Sequence, residues 1–463
     1  RVWTGTAREP NFYNGVQKER VFENAFLEYG CMKSMTAPLN RKMYFLTDPI
    51  EDRAKDWLDY KINYQATFAA QLMYPMVDTY EVMPWPDRIY QGLYRIAGTD
   101  QKERIPRSYS TQMQTMVNTL NDIRTSDKKI TGTQGIGVLM ANSLMFQRFP
   151  NHNGYDDPQF SSFYGQTLPL LKRGIPVELV HMENTPFKET FKGLHILVMS
   201  YSNMKPMKLE YHNYLADWVK KGGILIYCGE DIDPYQTVLE WWNTDGNEYK
   251  APSEHLFEKM NLSRNPGEGT YRYGKGTVIV MREDPKHFVL KAGNDQKYFE
   301  TIASAYQKKI GKEIETKNSF IVERGPYTIA AVMDESVSKE PLTLSGLYID
   351  LFDKDLPVLT SKQIQPGEQG YLYDLNKVSG KIKAKVLCGA SRIYDEKVSK
   401  QSYSFVAKSP INTTNVSRVL LPRKPEKIRV NGKEEQPEWD ESSKTLLLSF
   451  ENDPAGVNVS IEW

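Results

Sequence analysis

The sequence predicts a multidomain protein of mixed α/β and all-β class: the last strands of a (β/α)8 barrel, then a parallel α/β domain, then antiparallel β-sandwich material. Three observations predict it. At 463 residues the chain exceeds one hydrophobic core and divides into roughly three units of ~150 residues. Strand and helix patterns alternate from the first residue to about residue 312. From about residue 316 helical periodicity stops, and short alternating runs between turn residues take over. The expected units are 1–130, 131–315 and 316–463, the last holding one or two small β domains (316–382 and 383–463).

Residues 1–130 read as three strand-helix repeats. A strand over Arg1 to Ala7 precedes a helix with Phe22, Ala25, Phe26, Tyr29 and Met32 at helical spacing. Lys42 to Thr47 forms the second strand, ending at Asp48-Pro49, and the next helix carries an inner stripe of Trp57, Tyr60, Tyr64, Phe68 and Leu72. Val77 to Met83 forms the third strand, ending at Pro84-Trp85-Pro86, before a helix with Met113, Met116, Val117 and Leu120 on one face. This is the pattern of a (β/α)8 barrel, whose functional groups sit at the C-terminal strand ends. Three strands cannot close a barrel without leaving edges and an interior exposed, so an N-terminal segment or a second chain is expected to complete it. A small self-contained α/β unit is the competing reading.

In 131–315 the strands are near-continuous apolar runs, Gly135 to Met140, Pro176 to His181, His195 to Ser200 and Ile224 to Cys228, as in a parallel sheet covered on both faces. The helix Leu209 to Lys221 turns Tyr211, Leu215, Trp218 and Val219 inward, and Gly222-Gly223 ends it. A hairpin-like segment, Tyr271 to Met281, closes the unit. Beyond it, runs such as Tyr327 to Met333, Leu344 to Phe352, Gly370 to Leu375, Ser402 to Ala407 and Thr445 to Phe450 alternate with turns at Pro366-Gly367 and Asn431-Gly432. One or two antiparallel sandwiches follow.

Composition narrows the function. Hydrophobic residues at 40% and charged residues at 25% describe an ordinary globular chain. With 59 Lys plus Arg against 58 Asp plus Glu, no net field attracts nucleic acid or an anionic membrane. Aromatics reach 12%, including 28 Tyr and 8 Trp, and such rings either fill cores or stack on pyranose faces. No apolar run reaches the ~18 residues of a membrane span. The three cysteines, Cys31, Cys228 and Cys388, lie too far apart for a disulfide framework or a Cys-rich zinc site. The histidines at 152, 181, 195, 212, 255 and 287 show no metal spacing, and His195 reads as a core residue. No metal and no cofactor are expected: Tyr273-Gly274-Lys275-Gly276 lacks the helix of a phosphate loop and reads as a turn.

The candidate chemistry lies at the strand ends of residues 1–130. Asp48, Glu51 and Asp52 follow the second strand, Glu81 sits in the third, and Trp3, Trp85 and Arg88 lie beside them. Adjacent strands are ~4.8 Å apart, so carboxyls on neighbouring strand ends approach to ~5 to 8 Å, a span that includes both glycosidase geometries. One acid must hold a proton while the other stays ionised, which burial and a neighbouring cation arrange. Glu81 and Asp48 are the catalytic candidates; Trp3, Glu51, Trp85 and Arg88 are the substrate-binding ones. Blander readings stand beside these: Asp48 as a turn and cap for a helix starting near Arg53, Glu81 as an interior carboxylate paired with an Arg, and Trp85 as a packed loop residue. Cys228, after a strand and before Gly229, raises a thiol amidohydrolase as a third possibility. The glycine before the nucleophile is replaced in Ile226-Tyr227-Cys228-Gly229 and no His-x-Glu pair follows, so Cys228 reads as structural.

The segments Ala216-Asp217-Trp218-Val219-Lys220-Lys221-Gly222-Gly223-Ile224-Leu225 and Tyr273-Gly274-Lys275-Gly276-Thr277-Val278, in this domain order, resemble glycoside hydrolase family 42, the β-galactosidases. The resemblance implies a barrel end, a noncatalytic class I glutamine-amidotransferase-like domain serving oligomer formation, and a C-terminal β domain. It implies a carbohydrate substrate, a homo-oligomer, and a bacterial periplasmic or extracellular setting. The family's nucleophile is a Glu ending strand seven and its acid/base a Glu ending strand four. Here the Glu of Tyr80-Glu81-Val82-Met83 falls on the third strand, counted as strand eight. Either the count is off by one and Glu81 is the nucleophile, or a distant relative uses Asp48; the acid/base lies outside this chain in both cases. A noncatalytic carbohydrate-binding or assembly protein on a degenerate barrel is the alternative function.

Overall fold

The computed structural model describes residues 2–463 except 4, 40, 83–84, 148–156, 379, 381–382 and 437, with the backbone alone at 2, 3, 5 and 145–147. Mixed α/β and all-β parts are arranged in several sheets.

The first sheet has three parallel strands in the order Val2–Trp3, Phe45–Thr47, Tyr80–Val82. The helices Val21–Thr36 and Trp57–Leu72 follow the first two strands. They form where aromatic residues recur every third or fourth position, and Phe22, Phe26, Tyr29, Tyr60, Tyr64 and Phe68 are buried. Met32, expected in the first stripe, is instead exposed. Each strand is shorter than expected from the sequence, and the sheet holds three strands among the described residues, where a (β/α)8 barrel has eight. Two short hairpins, Asn11–Tyr13 with Val16–Lys18 and Leu93–Arg95 with Lys102–Arg104, were not anticipated, because three-residue strands are too brief to set up an alternation.

The second sheet has six strands in the order Gly269–Tyr273, Gly276–Met281, Ile224–Cys228, Ile196–Met199, Ile136–Met140, Glu178–His181. The first is antiparallel to its neighbour and the others are parallel, as in flavodoxin-like sheets. The two sequence segments singled out above form one packing unit. The Tyr211–Lys220 helix ends where Gly222 N donates to Val219 O at 2.8 Å. The 273–276 turn then lies on that helix end: Lys275 N donates to Lys220 O at 2.9 Å and Thr277 N to Gly223 O at 3.2 Å. A β-carbon on Gly276 would sit 1.9 Å from Val219 O, so only glycine allows the approach.

The third sheet is antiparallel, in the order Ser319–Arg324, Tyr327–Val332, Gln369–Asp374, Leu342–Asp350, Val358–Ile364. It was expected to open a sandwich. Instead one face packs on the N-terminal helices: Phe68 meets Tyr371 at 5.5 Å and Phe26 meets Phe320 at 5.2 Å between ring centroids. Buried Arg324 donates to Val77 O at 2.6 Å, Arg124 O at 3.1 Å and the Tyr80 hydroxyl at 2.6 Å. One apolar core therefore runs through the first three sheets.

A two-sheet sandwich ends the chain. Lys385–Gly389, Thr414–Leu420, Thr445–Glu451 and Glu438–Asp440 form one sheet; Arg392–Val398, Ser402–Lys408, Val457–Glu462, Lys427–Val430 and Lys433–Glu435 form the other. They enclose a separate core that includes Tyr403, Phe405, Leu446, Ile461 and Trp463. The Arg107–Thr119 helix joins it to the rest: Thr111 Oγ1 donates to Thr414 O at 2.8 Å and Asn118 Nδ2 to Gly389 O at 3.0 Å.

Candidate functional site

Register places the candidate groups. Trp3 is opposite Leu46, and Leu46 opposite Glu81. Phe45 and Tyr80 belong to the other face, the one covered by helices, where Phe45 meets Tyr29 at 4.5 Å and Tyr80 meets Arg324. The two-residue alternation of a strand therefore puts Glu81 on the face away from the helices, the side that would be a barrel interior. Asp48 follows two residues beyond Leu46. One strand across and two residues along correspond to about 8 Å between the α-carbons of Asp48 and Glu81. Glu81 is half-buried.

Asp48 is buried and bonded to a cation. Arg88, on the short Asp87–Tyr90 helix, reaches Asp48 Oδ1 with Nη1 at 2.5 Å and Glu51 Oε2 with Nε at 2.9 Å. Arg53 approaches Glu51 at 3.4 Å and Asp87 at 3.9 Å. Burial pushes the Asp48 carboxyl up to about 6; Arg88 opposes this and Glu51 adds to it. The loop after Asp48 is held from beneath by Arg8, which donates to Ile50 O at 2.9 Å and pairs with Glu19 and Asp59 at 3.1 and 3.0 Å. The helix cap expected of Asp48 belongs to Asp56, whose side chain accepts from Asp59 N at 3.1 Å. The helix begins at Trp57, too far along the chain for Asp48 to serve it.

Trp85 is 60% exposed, so the packed-loop alternative does not describe it. Pro84, and with it half of the expected Pro-Trp-Pro frame, lies outside the described residues, as does the Trp3 side chain. Arg88, Glu51 and Asp48 are thus brought together, Glu81 lies on the neighbouring strand, and Trp85 opens to solvent one turn before Arg88.

Sequence reasoning put Tyr60 and Tyr64 in a helix stripe without placing them beside this cluster, and did not single out Tyr94 and Tyr109. Tyr60, Tyr64 and Tyr109 are buried on helices and Tyr94 on a hairpin strand. Tyr60 meets Tyr64 and Tyr94 at 5.9 and 6.0 Å. Burial, then the Asp48 charge, drives the Tyr60 hydroxyl far up. The hydroxyls of Tyr64, Tyr94 and Tyr109 have no hydrogen-bond partner among the described residues. The available signal was tyrosine rather than phenylalanine or leucine along the inner stripe.

Cys228 is fully buried within the main core, and burial, reinforced by Glu283 and Asp284, drives its thiol upward, away from thiolate. The amidohydrolase alternative is removed. His195 is half-buried at the start of its strand rather than in the core, and its imidazole is held low by burial and by Lys309 and Lys129. His152 lies outside the described residues. Among the described residues no group of three or more His, Cys, Asp or Glu side chains is placed to hold a metal ion, and no helix is long and apolar enough to cross a membrane.

No protein-family model matches the chain, and no curated protein matches it. Solved structures do. A β-galactosidase from Bacillus circulans sp. alkalophilus aligns over 76% of this chain and 58% of its own, at 11% identity and a TM-score of 0.43. A GH42 β-galactosidase from G. stearothermophilus aligns over 76% and 57%, at 12% identity and a TM-score of 0.41. A rhamnosidase from Novosphingobium sp. PP1Y aligns over 99% of this chain and 46% of its own, at 11% identity and a TM-score of 0.37. The chain spans less than two thirds of each of these proteins.

Proposed function

We propose that this chain is part of a glycoside hydrolase that cleaves a plant or host oligo- or polysaccharide with a pair of carboxylates. The observation that carries the reading is the strand-end cluster. A buried Asp48 bridged to Glu51 by Arg88 stands one strand from Glu81, beside an exposed Trp85. Glu81 or Asp48 acts as nucleophile or charge stabiliser, and the other shapes the sugar subsite. Glu51 and Arg88 orient the acids and the sugar hydroxyls, while Trp3 and Trp85 stack on the pyranose. The acid/base and the remaining barrel strands come from an N-terminal segment or a second chain. Secretion to the periplasm or exterior of a bacterium and homo-oligomer formation complete the proposal, and β-galactoside is the first substrate class to test.

A second reading has an observation of its own. Arg88 neutralises Asp48, as a degenerate barrel kept for carbohydrate binding or assembly would allow. Reducing ends counted after incubation of the complete assembly with a galactan separate the two. Release of sugar supports hydrolysis; retention of the polysaccharide without release supports the binding protein.

A further inference from the structure

Two histidines meet at the seam between two helices that pack beside the second sheet. His212 lies in the first turn of the Tyr211–Lys220 helix and His255 in the Pro252–Lys259 helix, and both are buried. Their Nδ1 atoms stand 2.8 Å apart and their ring centroids 5.0 Å. On its other side, His212 Nε2 is 2.5 Å from the hydroxyl of Tyr201, a fully buried residue just beyond the Ile196–Met199 strand. Trp241 lies edge-on to both rings, at 5.7 Å from His212 and 5.5 Å from His255, and its Nε1 donates to Pro206 O at 2.8 Å. Tyr249 meets His255 at 5.3 Å. The pair therefore joins two helices, the strand-end loop 201–206 and the segment 241–249.

The distance between the rings fixes their proton count. Two nitrogens this close form a hydrogen bond only when one carries a proton and the other presents its lone pair. With both rings protonated, two N–H groups would face each other and repel. The surroundings oppose even a single charge. Exposed Lys259 acts on both rings. Glu258 draws a proton toward His255, but its carboxylate already accepts from the Tyr249 hydroxyl and lies 3.6 Å from Arg264. Burial, then Asp231 and Glu183, keeps the Tyr201 hydroxyl protonated. Burial, then His255 and Lys259, holds His212 well below the usual imidazole range. Burial and Lys259, against Glu258, hold His255 at about 4.

We propose that His212 and His255 form an acid-sensitive joint: neutral and sharing one proton, they lock the two helices and the 201–206 loop together, and proton uptake releases them. An unfolded chain protonates both rings near the ordinary imidazole value of about 6.5. The pair therefore contributes stability that is fully present above that pH and is lost as the pH falls from there toward 4. Each ring that gains a proton on unfolding raises the unfolding constant by up to about tenfold per pH unit. Asp48 runs the other way across part of this window, so the joint is read from the difference between wild type and histidine variants. It is independent of the strand-end acids and of glycoside hydrolysis.

The test is urea unfolding of the full chain at pH 7, 6 and 5 for wild type, His255→Gln and Lys259→Gln. Between pH 6 and 5 the wild-type unfolding constant is expected to rise at least about fivefold more than that of His255→Gln. Lys259→Gln, which removes the exposed cation and leaves the rings in place, is expected to rise less than wild type. The same rise in all three proteins would overturn the proposal. Nitrogen NMR of wild type labelled at histidine provides a readout that needs no variant. A pair of imidazoles still neutral at pH 5 and coupled through one N–H···N bond is expected, and the lack of such a pair would overturn it. So would a gain in wild-type melting temperature with added Zn²⁺ that His255→Gln loses, since the rings would then be metal ligands.

Discussion

Asp48 and Arg88 set the electrostatics of the strand-end cluster. Because burial raises the Asp48 carboxyl to about 6, the folded state binds its proton more tightly than the unfolded chain does. Its contribution to stability is therefore highest below the ordinary carboxylate value of about 4 and falls as pH rises from there to about 6. Asp48→Asn should flatten the pH dependence of the melting temperature across that window, and an unchanged slope would contradict the assignment. Ionised Asp48 is the form a nucleophile or stabiliser needs, so activity should rise through pH ~6. Arg88→Ala removes the cation that holds the carboxyl down and should move this limb to higher pH, read from kcat/KM profiles. The residue types of the cluster were legible in the sequence because polar groups gather at predicted strand ends. The Arg88 bridge and the tyrosine hydroxyls were not, since they depend on which helix and hairpin fold over those ends.

At the scale of elements, the alternation of strand and helix and the parallel second sheet could be read directly, because buried strands are continuous apolar runs and the helices carry aromatic stripes. The Lys220–Gly223 and 273–276 contact could not be read, since it joins segments about fifty residues apart through backbone atoms. Gly276→Ala should cost roughly 2 to 4 kcal/mol, because its β-carbon would meet two backbone oxygens, and urea unfolding measures the loss. Arg324→Met should cost about 1 to 3 kcal/mol by removing its bonds to the Val77 and Arg124 carbonyls and to the Tyr80 hydroxyl. A neutral result would show that the third sheet is not anchored to the first through this side chain.

Across the whole molecule, the sequence announced a change to all-β structure near residue 316 but not how its parts distribute. Strands of the third sheet and of the terminal sandwich look alike in sequence, and what separates them is whether the buried face meets helices or another sheet. The first three sheets share one core, against which the outer face of the sandwich's first sheet packs through Leu387 and Cys388, while the sandwich interior has a core of its own. Heating should give two transitions, with Phe405→Ala lowering only one, by an amount corresponding to roughly 3 to 5 kcal/mol. A single transition displaced as a whole would contradict two separate cores.

The most direct test of the glycosidase account is hydrolysis of a panel of aryl glycosides by the purified assembly, with its intact mass determined on the same sample, for wild type, Glu81→Gln and Asp48→Asn. The account predicts a further segment or chain completing the barrel, turnover of at least one glycoside, and a loss of activity of at least about 10³-fold in one folded variant. A chain that is alone and stable and cleaves no glycoside, or full turnover in both variants, would contradict it.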